Sequence, residues 1–301
     1  MRCRIWAPFA SLSLGIVASL VFLHAAVAAQ ESTVGEAVKP IRAVKIILVG
    51  DSTTAVHSGW GGSFCALHVT SFVACVNMAR NGRSTRSYRE EGSWKLVLAE
   101  VRSRGFADTW VLIQFGHNDQ PGKPGRSTDL KTEFPANLRR YVDEALAAGA
   151  HPVLLTPLTR RQFVAGRLQN DLAPWAATVA KVAAEKHVPL VDLNALSAKA
   201  VQEMGPTEAN KLAQMPPPPE VAAAAASGTT IAAQTSVVPA TPSAADTATR
   251  KSDKTAAAPP GKVNRAFDYT HLGRDGADFF AAMVTEELAA KVPSLSQYLV
   301  P

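Results

Sequence analysis

The sequence predicts an α/β domain, a three-layer α/β/α sandwich in which helices cover both faces of a five-stranded, mostly parallel sheet. Two observations lead to this prediction. Short, almost entirely apolar runs recur along the chain, as expected of strands that are buried on both faces. Stretches with helical periodicity separate these runs, and such alternation is typical of parallel β-α-β units with right-handed crossovers.

Five runs are predicted strands, the last of them the weakest: 44–49, 110–115, 153–155, 189–193 and 74–78. Four stretches are predicted helices: 94–104, 128–148, 171–186 and 275–291. Gly105 and Gly149 directly follow the first two helices and are typical stop residues. Because the carboxyl ends of parallel strands meet at one edge of the sheet, the polar residues that follow the strands are the functional candidates.

Composition sets the class of protein. The chain has 301 residues, of which 47% are hydrophobic and 19% charged, and this balance predicts a globular protein with a sizeable core. The formal net charge of +6 is spread along the chain and is not collected in one basic run. Nucleic acid is therefore not expected as a partner.

The amino terminus has the pattern of a secretory signal peptide. Basic residues within 1–4 precede an apolar run over 5–23, and small residues follow at the spacing of a cleavage site. We expect residues 1–29 to be removed, with cleavage near Ala28 or Ala29 and no stable membrane span afterwards. The mature protein would be periplasmic or secreted. The alternative interpretation is a single membrane anchor, because the run has nearly the length that a span needs.

The composition changes again over 216–261, a stretch rich in alanine and proline that contains no aromatic residue. We expect a disordered insertion there, because such a segment buries too little apolar surface to offset its conformational entropy. What remains is a short segment over 30–43 and one domain formed by 44–215 and 262–301.

Two cysteines, Cys65 and Cys75, follow the predicted signal peptide. An even number in an exported protein permits a disulfide. The alternative is two buried thiols that act as small hydrophobic residues. Neither has a histidine or cysteine partner at ligand spacing, so no metal site is expected, and no cofactor is predicted.

Four polar blocks carry the chemistry. Gly-Asp-Ser-Thr-Thr occupies 50–54, Asn-Met-Ala-Arg-Asn-Gly-Arg-Ser occupies 77–84, Phe-Gly-His-Asn-Asp occupies 115–119, and Asp-Tyr-Thr-His occupies 268–271. In order and position these blocks resemble the SGNH, or GDSL-type, hydrolase superfamily. Gly59-Trp60-Gly61 and the Thr-Pro-Leu-Thr-Arg-Arg run over 156–161 narrow the resemblance to the rhamnogalacturonan acetylesterase branch. The resemblance implies the flavodoxin-like SGNH hydrolase fold.

It also implies roles for five residues. Ser52 would be the nucleophile, His271 the general base and Asp268 the carboxylate that orients the imidazole. The backbone N–H groups of Ser52 and Gly82 and the side-chain amide of Asn118 would form the oxyanion hole. This chemistry requires such residue types, because a serine hydroxyl needs a base and the developing oxyanion needs preorganised donors.

Each block also has a plainer interpretation. Gly-Asp-Ser and Asn-Asp can simply cap helices, and a glycine can serve only a turn. Asp51 and Asp119 neighbour catalytic positions and are interpreted as hydrogen-bonded organisers of their loops. His117 either contacts substrate or packs beneath its loop. The Gly-x-Ser-x-Gly nucleophile elbow is absent around Ser52, which argues against the α/β-hydrolase fold.

The resemblance implies an exported esterase that removes O-acetyl groups from a polysaccharide, with pectic rhamnogalacturonan as the expected substrate. Because that polymer contains anionic uronates, Arg83, Arg160 and Arg161 are candidate substrate ligands. Their alternative is internal salt bridges. Two other functions stay open, namely hydrolysis of another ester, such as acetylated xylan or a short-chain lipid, and non-catalytic carbohydrate binding.

Overall fold

A computed structural model describes residues 42–231 and 266–301 of the chain. Its central sheet has five strands, all paired in parallel, and confirms the predicted fold class. Including a separate two-stranded hairpin, the strands are β1 (Val44–Gly50), β2 (Val73–Asn77), β3 (Thr109–Gln114), β4 (His151–Leu155), β5 (Phe163–Val164), β6 (Arg167–Leu168) and β7 (Leu190–Val191).

The sheet order is β2-β1-β3-β4-β7. The chain therefore passes from β1 to β2 on one side and then crosses back to β3 on the other side of β1. In sheets of this order the two loops that leave neighbouring strands at the switch point diverge and open a crevice. Ser52 follows β1 and Asn118 follows β3. The topology therefore brings two of the predicted site blocks to the mouth of one crevice.

Helices cover both faces of the sheet. They are α1 (Gly61–Leu67), α2 (Ser87–Glu90), α3 (Ser93–Val101), α4 (Glu133–Ala147), α5 (Ala173–Lys186), α6 (Leu193–Asn210), α7 (Pro219–Ala226), α8 (Arg274–Lys291) and α9 (Pro293–Ser296). Side chains of β1 alternate between two cores: Ile46 and Leu48 pack with α1, α6 and α8, and Ile47 and Val49 pack with α3, α4 and α5. Burial on both faces explains why this strand is almost entirely apolar.

Lys45 is the polar exception in β1 and is also buried. Its Nζ donates to the Oε1 of Glu100 at 2.6 Å and to the backbone carbonyl of the same residue at 2.9 Å. This pair lies at the amino end of the strand, opposite the edge that carries Ser52. It is a structural ion pair far along the sheet from the site.

Helix α4 begins at Glu133 and not at residue 128 as predicted. The carboxylate of Asp129 accepts the N–H groups of Lys131 and Thr132 at 2.9 and 2.8 Å. A side chain that takes these donors holds the backbone in a turn and delays the helix. Helix α6 and the β5–β6 hairpin were not predicted at all, because neither has a clear periodic pattern.

The predicted disordered insertion is wrong in its first part. Residues 219–226 form α7, with Val221 and Ala225 buried, and Thr230 pairs with Phe163 through its N–H at 2.9 Å and its hydroxyl at 2.8 Å. Alanine is the strongest helix former and proline suits a first helical turn, so a run poor in aromatic residues can still fold against a neighbour. Residues 232–261 lie outside the described residues.

A disulfide joins Cys65 on α1 to Cys75 on β2, with the Cα atoms 5.4 Å apart. Of the two alternatives, the structure therefore has the bonded pair. Within residues 42–231 and 266–301, no helix is long and apolar enough to cross a membrane. The predicted signal peptide over 1–29 lies outside the described residues, as does nearly all of the 30–43 segment.

Candidate active site

The four polar blocks meet around one cavity of about 460 Å³ at the carboxyl edge of the sheet. Ser52 follows β1, Gly82 follows β2, Asn118 follows β3, and His271 precedes α8. All four line the cavity, together with Asp268. Residues that are more than 200 positions apart in the chain thus share one small, half-open space.

Ser52, His271 and Asp268 form a continuous chain of hydrogen bonds. The Oγ of Ser52 lies 2.8 Å from the Nε2 of His271, and the Nδ1 of His271 lies 2.6 Å from the Oδ2 of Asp268. One ring nitrogen thus faces the hydroxyl and the other faces the carboxylate. This is the arrangement in which a base can take the hydroxyl proton while a carboxylate fixes its tautomer.

Asp268 is held in its ionised form by its own loop. Its Oδ1 accepts the N–H groups of Thr270 at 2.7 Å and His271 at 2.6 Å. Burial raises the pKa of this carboxyl, but the hydrogen bond and charge of His271 and the two N–H groups outweigh it and lower the pKa to about 2. At neutral pH the carboxylate is charged and can stabilise an imidazolium.

The opposite wall of the cavity supplies hydrogen-bond donors. The N–H groups of Ser52 and Gly82 have no acceptor among the described residues. Gly82 has φ +76°, in the left-handed region that glycine adopts without strain. The Nδ2 of Asn118 donates one N–H to the carbonyl of Arg83 at 3.1 Å, which orients the amide and leaves its second N–H. Three residues that line the cavity, Ser52, Gly82 and Asn118, therefore each have an N–H group without an acceptor among the described residues.

Glycines allow the loop of Ser52 to pack tightly on α1. A Cβ on Gly59 would lie 2.1 Å from the carbonyl oxygen of Thr53, and one on Gly61 would lie 2.2 Å from that of Thr54. Any side chain at either position would displace this backbone. The Gly-Trp-Gly motif, which the sequence offered only as part of a resemblance, thus has a steric explanation beside the loop of Ser52.

Asp51 and His117 form a buried pair beneath the cavity. The Oδ1 of Asp51 accepts the N–H and the hydroxyl of Thr53, both at 2.8 Å. These two hydrogen bonds hold the turn that contains Ser52. Its Oδ2 lies 3.5 Å from the Nδ1 of His117. Burial lowers the pKa of His117. His117 borders the cavity, yet both ring nitrogens are shielded from solvent, so it packs beneath the loop.

Asp119 joins the loop after β2 to its own loop after β3. Its Oδ1 accepts the hydroxyls of Thr85 at 2.5 Å and Thr128 at 2.9 Å, and the carboxylate also accepts the N–H of Thr85. Burial raises the pKa of Asp119 to about 7, although these hydrogen bonds oppose the rise. The contacts match the predicted role of a loop organiser.

The three arginines predicted to meet substrate have different positions. Arg83 is engaged with Glu91, its Nε donating to Oε2 at 2.7 Å, and it does not line the cavity. Arg161 is buried, does not line the cavity and donates to the backbone carbonyls of Asp268 and His271, so its prediction as a substrate ligand is wrong. Arg160 does line the cavity, with its guanidinium hydrogen-bonded to Asp171.

Two further cations at the cavity were missed by the sequence analysis. Lys123 and Arg126 lie on the loop between β3 and α4 and line the cavity beside Asn118. Burial, followed by the nearby charges of Arg160 and Arg126, lowers the pKa of Lys123. The loop has no periodic pattern, so nothing in the sequence indicated which way its side chains point.

No group of three or more His, Cys, Asp or Glu side chains that could hold a metal ion occurs in the parts of the chain that the structure describes.

Comparison with known proteins places this geometry in a family. Residues 48–214, more than half of the chain, match the model of the GDSL-like lipase/acylhydrolase family. The sequence is 34% identical over 167 residues to a probable rhamnogalacturonan acetylesterase of Bacillus subtilis (strain 168), covering 53% of this chain and 75% of the relative. It is 36% identical over 177 residues to a rhamnogalacturonan acetylesterase of the same organism, covering 56% and 73%.

A solved structure shows the same fold. The X-ray structure of the Bacillus subtilis protein YXIM superposes with a TM-score of 0.56 at 22% identity, covering 84% of this chain. The present chain spans 58% of the length of that protein. With the family match and the two relatives, the chain belongs to the GDSL-like lipase/acylhydrolase family of carboxylic ester hydrolases, in the branch of the rhamnogalacturonan acetylesterases.

Proposed function

We propose that the protein is an exported serine esterase that removes O-acetyl groups from an acidic polysaccharide, with pectic rhamnogalacturonan as its substrate. The observation that carries the proposal is the hydrogen-bonded chain from Ser52 through His271 to Asp268, which opens on a cavity bordered by cations. The names of the two B. subtilis relatives support the choice of acetyl group and polymer.

The reaction follows from the contacts. The Oγ of Ser52 attacks the acetyl carbonyl while the Nε2 of His271 takes its proton, and Asp268 stabilises the imidazolium. Donors from Ser52, Gly82 and Asn118 receive the developing oxyanion. The C–O bond to the sugar breaks, and His271 returns the proton to the leaving sugar oxygen. Water, deprotonated by His271, then attacks the acetyl-enzyme; the bond from the acetyl carbon to the Oγ of Ser52 breaks, acetate leaves, and His271 returns the proton to Oγ.

Charge at the cavity favours an anionic polymer. Lys123, Arg126 and Arg160 border it, with Arg160 paired to Asp171, and the only carboxylate among the described residues of its lining, Asp268, is engaged with His271. Mutual repulsion among the three cations is relieved when an anion enters between them. A uronate carboxylate next to the acetylated sugar supplies that anion, whereas a neutral xylan does not.

The test is acetate release from acetylated rhamnogalacturonan, acetylated xylan and 4-nitrophenyl acetate by the wild type, Lys123→Gln, Arg126→Gln and the control Arg83→Gln. One lost charge-assisted contact of about 1.5 kcal/mol corresponds to roughly a tenfold loss of kcat/KM. We expect that loss on the pectic polymer relative to the small ester. The ratio of kcat/KM for the pectic polymer to kcat/KM for 4-nitrophenyl acetate cancels any general damage to the oxyanion hole, which Arg126 adjoins.

Arg83→Gln should leave this ratio unchanged, because Arg83 pairs with Glu91 away from the cavity. Equal losses on all three substrates in the Lys123 and Arg126 variants would contradict the preference for acidic polymers. If the wild type hydrolyses only 4-nitrophenyl acetate, the serine mechanism stands and rhamnogalacturonan is excluded as the substrate. No acetate from any substrate would instead favour the non-catalytic, carbohydrate-binding function.

Export to the periplasm or the exterior is the second part of the proposal. The basic, apolar and small-residue order over 1–29 supports it, and so does the disulfide between Cys65 and Cys75, which is typical of oxidising compartments. Mass spectrometry of the protein from cell fractions should give a mature chain that begins after Ala28 or Ala29 outside the cytoplasm. A full-length chain retained in the membrane fraction would support the anchor interpretation.

A further inference from the structure

A single residue, Arg161, binds every backbone carbonyl of the loop that carries the histidine and the aspartate. Its Nη2 donates to the carbonyls of Asp268 and His271, both at 2.9 Å, and its Nη1 donates to that of Thr270 at 3.4 Å. Its own N–H donates to the carbonyl of Tyr269 at 2.9 Å. Four consecutive carbonyls therefore point at one side chain and its backbone.

Arg161 is buried to 1% exposure and has no carboxylate within ion-pair distance among the described residues. Burial of a cation is costly unless hydrogen bonds satisfy it, and an apolar side chain of similar volume would be less costly. Here carbonyl dipoles replace a counter-ion. A lysine could not copy this arrangement, because only the planar guanidinium presents several donors in a rigid fork.

The neighbouring arginine shows the contrast. Arg160 borders the cavity and its guanidinium reaches Asp171 and the hydroxyl of Thr270. Arg161 points away from the cavity into the protein. One of the two adjacent arginines therefore faces substrate, and the other faces the backbone beneath the catalytic loop, defined here as residues 268–271.

We propose that Arg161 is the positioning residue of the triad, setting the distance and angle between His271 and Ser52 through its four contacts with the catalytic loop. This inference rests on the proposed serine mechanism. Arg161 acts without touching substrate, so its loss lowers the turnover of every ester alike. Substrate binding, which depends on the opposite wall and the cations at the cavity, is unaffected.

The test compares Arg161→Ala and Arg161→Lys with the control Lys45→Met, which removes another buried cation at the opposite end of the sheet. Active sites are counted by covalent labelling of Ser52 with a fluorophosphonate, and kcat and KM are measured with 4-nitrophenyl acetate. Since a displacement of about 1 Å can cost ~100-fold in rate, we expect kcat per labelled site to fall ~10- to 100-fold in both Arg161 variants. KM should stay within about twofold, as expected when only transition-state stabilisation is lost.

Added methylguanidinium should raise kcat of Arg161→Ala, whose truncated side chain leaves room for it, and should not raise kcat of the wild type or of Lys45→Met. A purely structural role would not produce this rescue. Wild-type kcat per labelled site in Arg161→Lys or Arg161→Ala would overturn the inference. So would failure of both variants to fold, since that would assign Arg161 to the stability of the whole domain. An inactive wild type would instead contradict the proposed function itself.

Discussion

Replacement of Ser52 by alanine is expected to lower kcat for acetate release by about four to six orders of magnitude, the range for removal of a triad nucleophile. The variant loses the oxygen that His271 contacts at 2.8 Å and with it the acetyl-enzyme. The three oxyanion donors remain, so a small residual rate over water is expected. The measurement is acetate release from 4-nitrophenyl acetate and from the pectic polymer.

The fold should survive this change, because Ser52 Oγ contributes one hydrogen bond at the rim of a cavity. Ser63→Ala is a matched control: Ser63 is a half-buried serine on α1 whose Oγ donates to Asp278 at 2.6 Å, outside the triad. We expect it to retain wild-type turnover. Comparable turnover in Ser52→Ala and the wild type would rule out Ser52 as the nucleophile.

Asp268→Asn is expected to lower kcat by about 10⁴-fold, the cost known for the equivalent change in a serine protease. An asparagine can still accept the N–H groups of Thr270 and His271, so the loop keeps its shape. Its amide nitrogen would face the Nδ1 of His271 and force the proton onto Nε2, the nitrogen that must accept from Ser52. The imidazole would then be a donor where a base is needed.

Asp129→Asn is a closely matched control. The carboxylate of Asp129 accepts the N–H groups two and three residues ahead, at 2.9 and 2.8 Å, just as Asp268 does at 2.7 and 2.6 Å. Asp129 contacts no histidine, so its replacement should leave kcat within about twofold. Equal losses in the two variants would show that turn geometry, and not the tautomer of His271, carries the effect.

Because the pKa of Asp268 is low, its protonation affects stability and activity only at strongly acidic pH. Its folded pKa of about 2 lies below the ordinary value of 3.8, so the carboxylate stabilises the fold above pH 3.8 and loses that contribution as the pH falls toward 2. Protonation of Asp268 therefore does not limit activity at mildly acidic pH.

Local features of this protein were determined by the sequence itself. A strand that is buried on both faces is almost entirely apolar, so β1 and β3 were recognisable without a structure in spite of Lys45 and Gln114. Asp268 and His271 are three residues apart on one loop, and such short-range spacing survives any rearrangement of the rest of the chain. The same holds for the loop that directly follows β1, which carries Ser52.

Long-range packing decided the rest. Arg160 and Arg161 are identical and adjacent, yet Arg160 lines the cavity and Arg161 binds the 268–271 loop. Only the position of that loop determines which of the two meets the cavity. Lys123 and Arg126 lie on a loop without periodicity, where side-chain direction follows from contacts with other loops.

The ordered structure over 216–231 and the disulfide also depend on contacts that the sequence pattern does not reveal. Helix α7 packs on α6 with Val221 and Ala225 buried, and the residues after it hydrogen-bond to the β5–β6 hairpin. Composition alone does not reveal these contacts. The bond between Cys65 and Cys75 depends on the distance between α1 and β2. The sequence by itself determined which chemistry the chain carries, since that resides in local spacing. Only the tertiary structure decided which cations border the cavity, because burial and side-chain direction depend on residues distant in sequence.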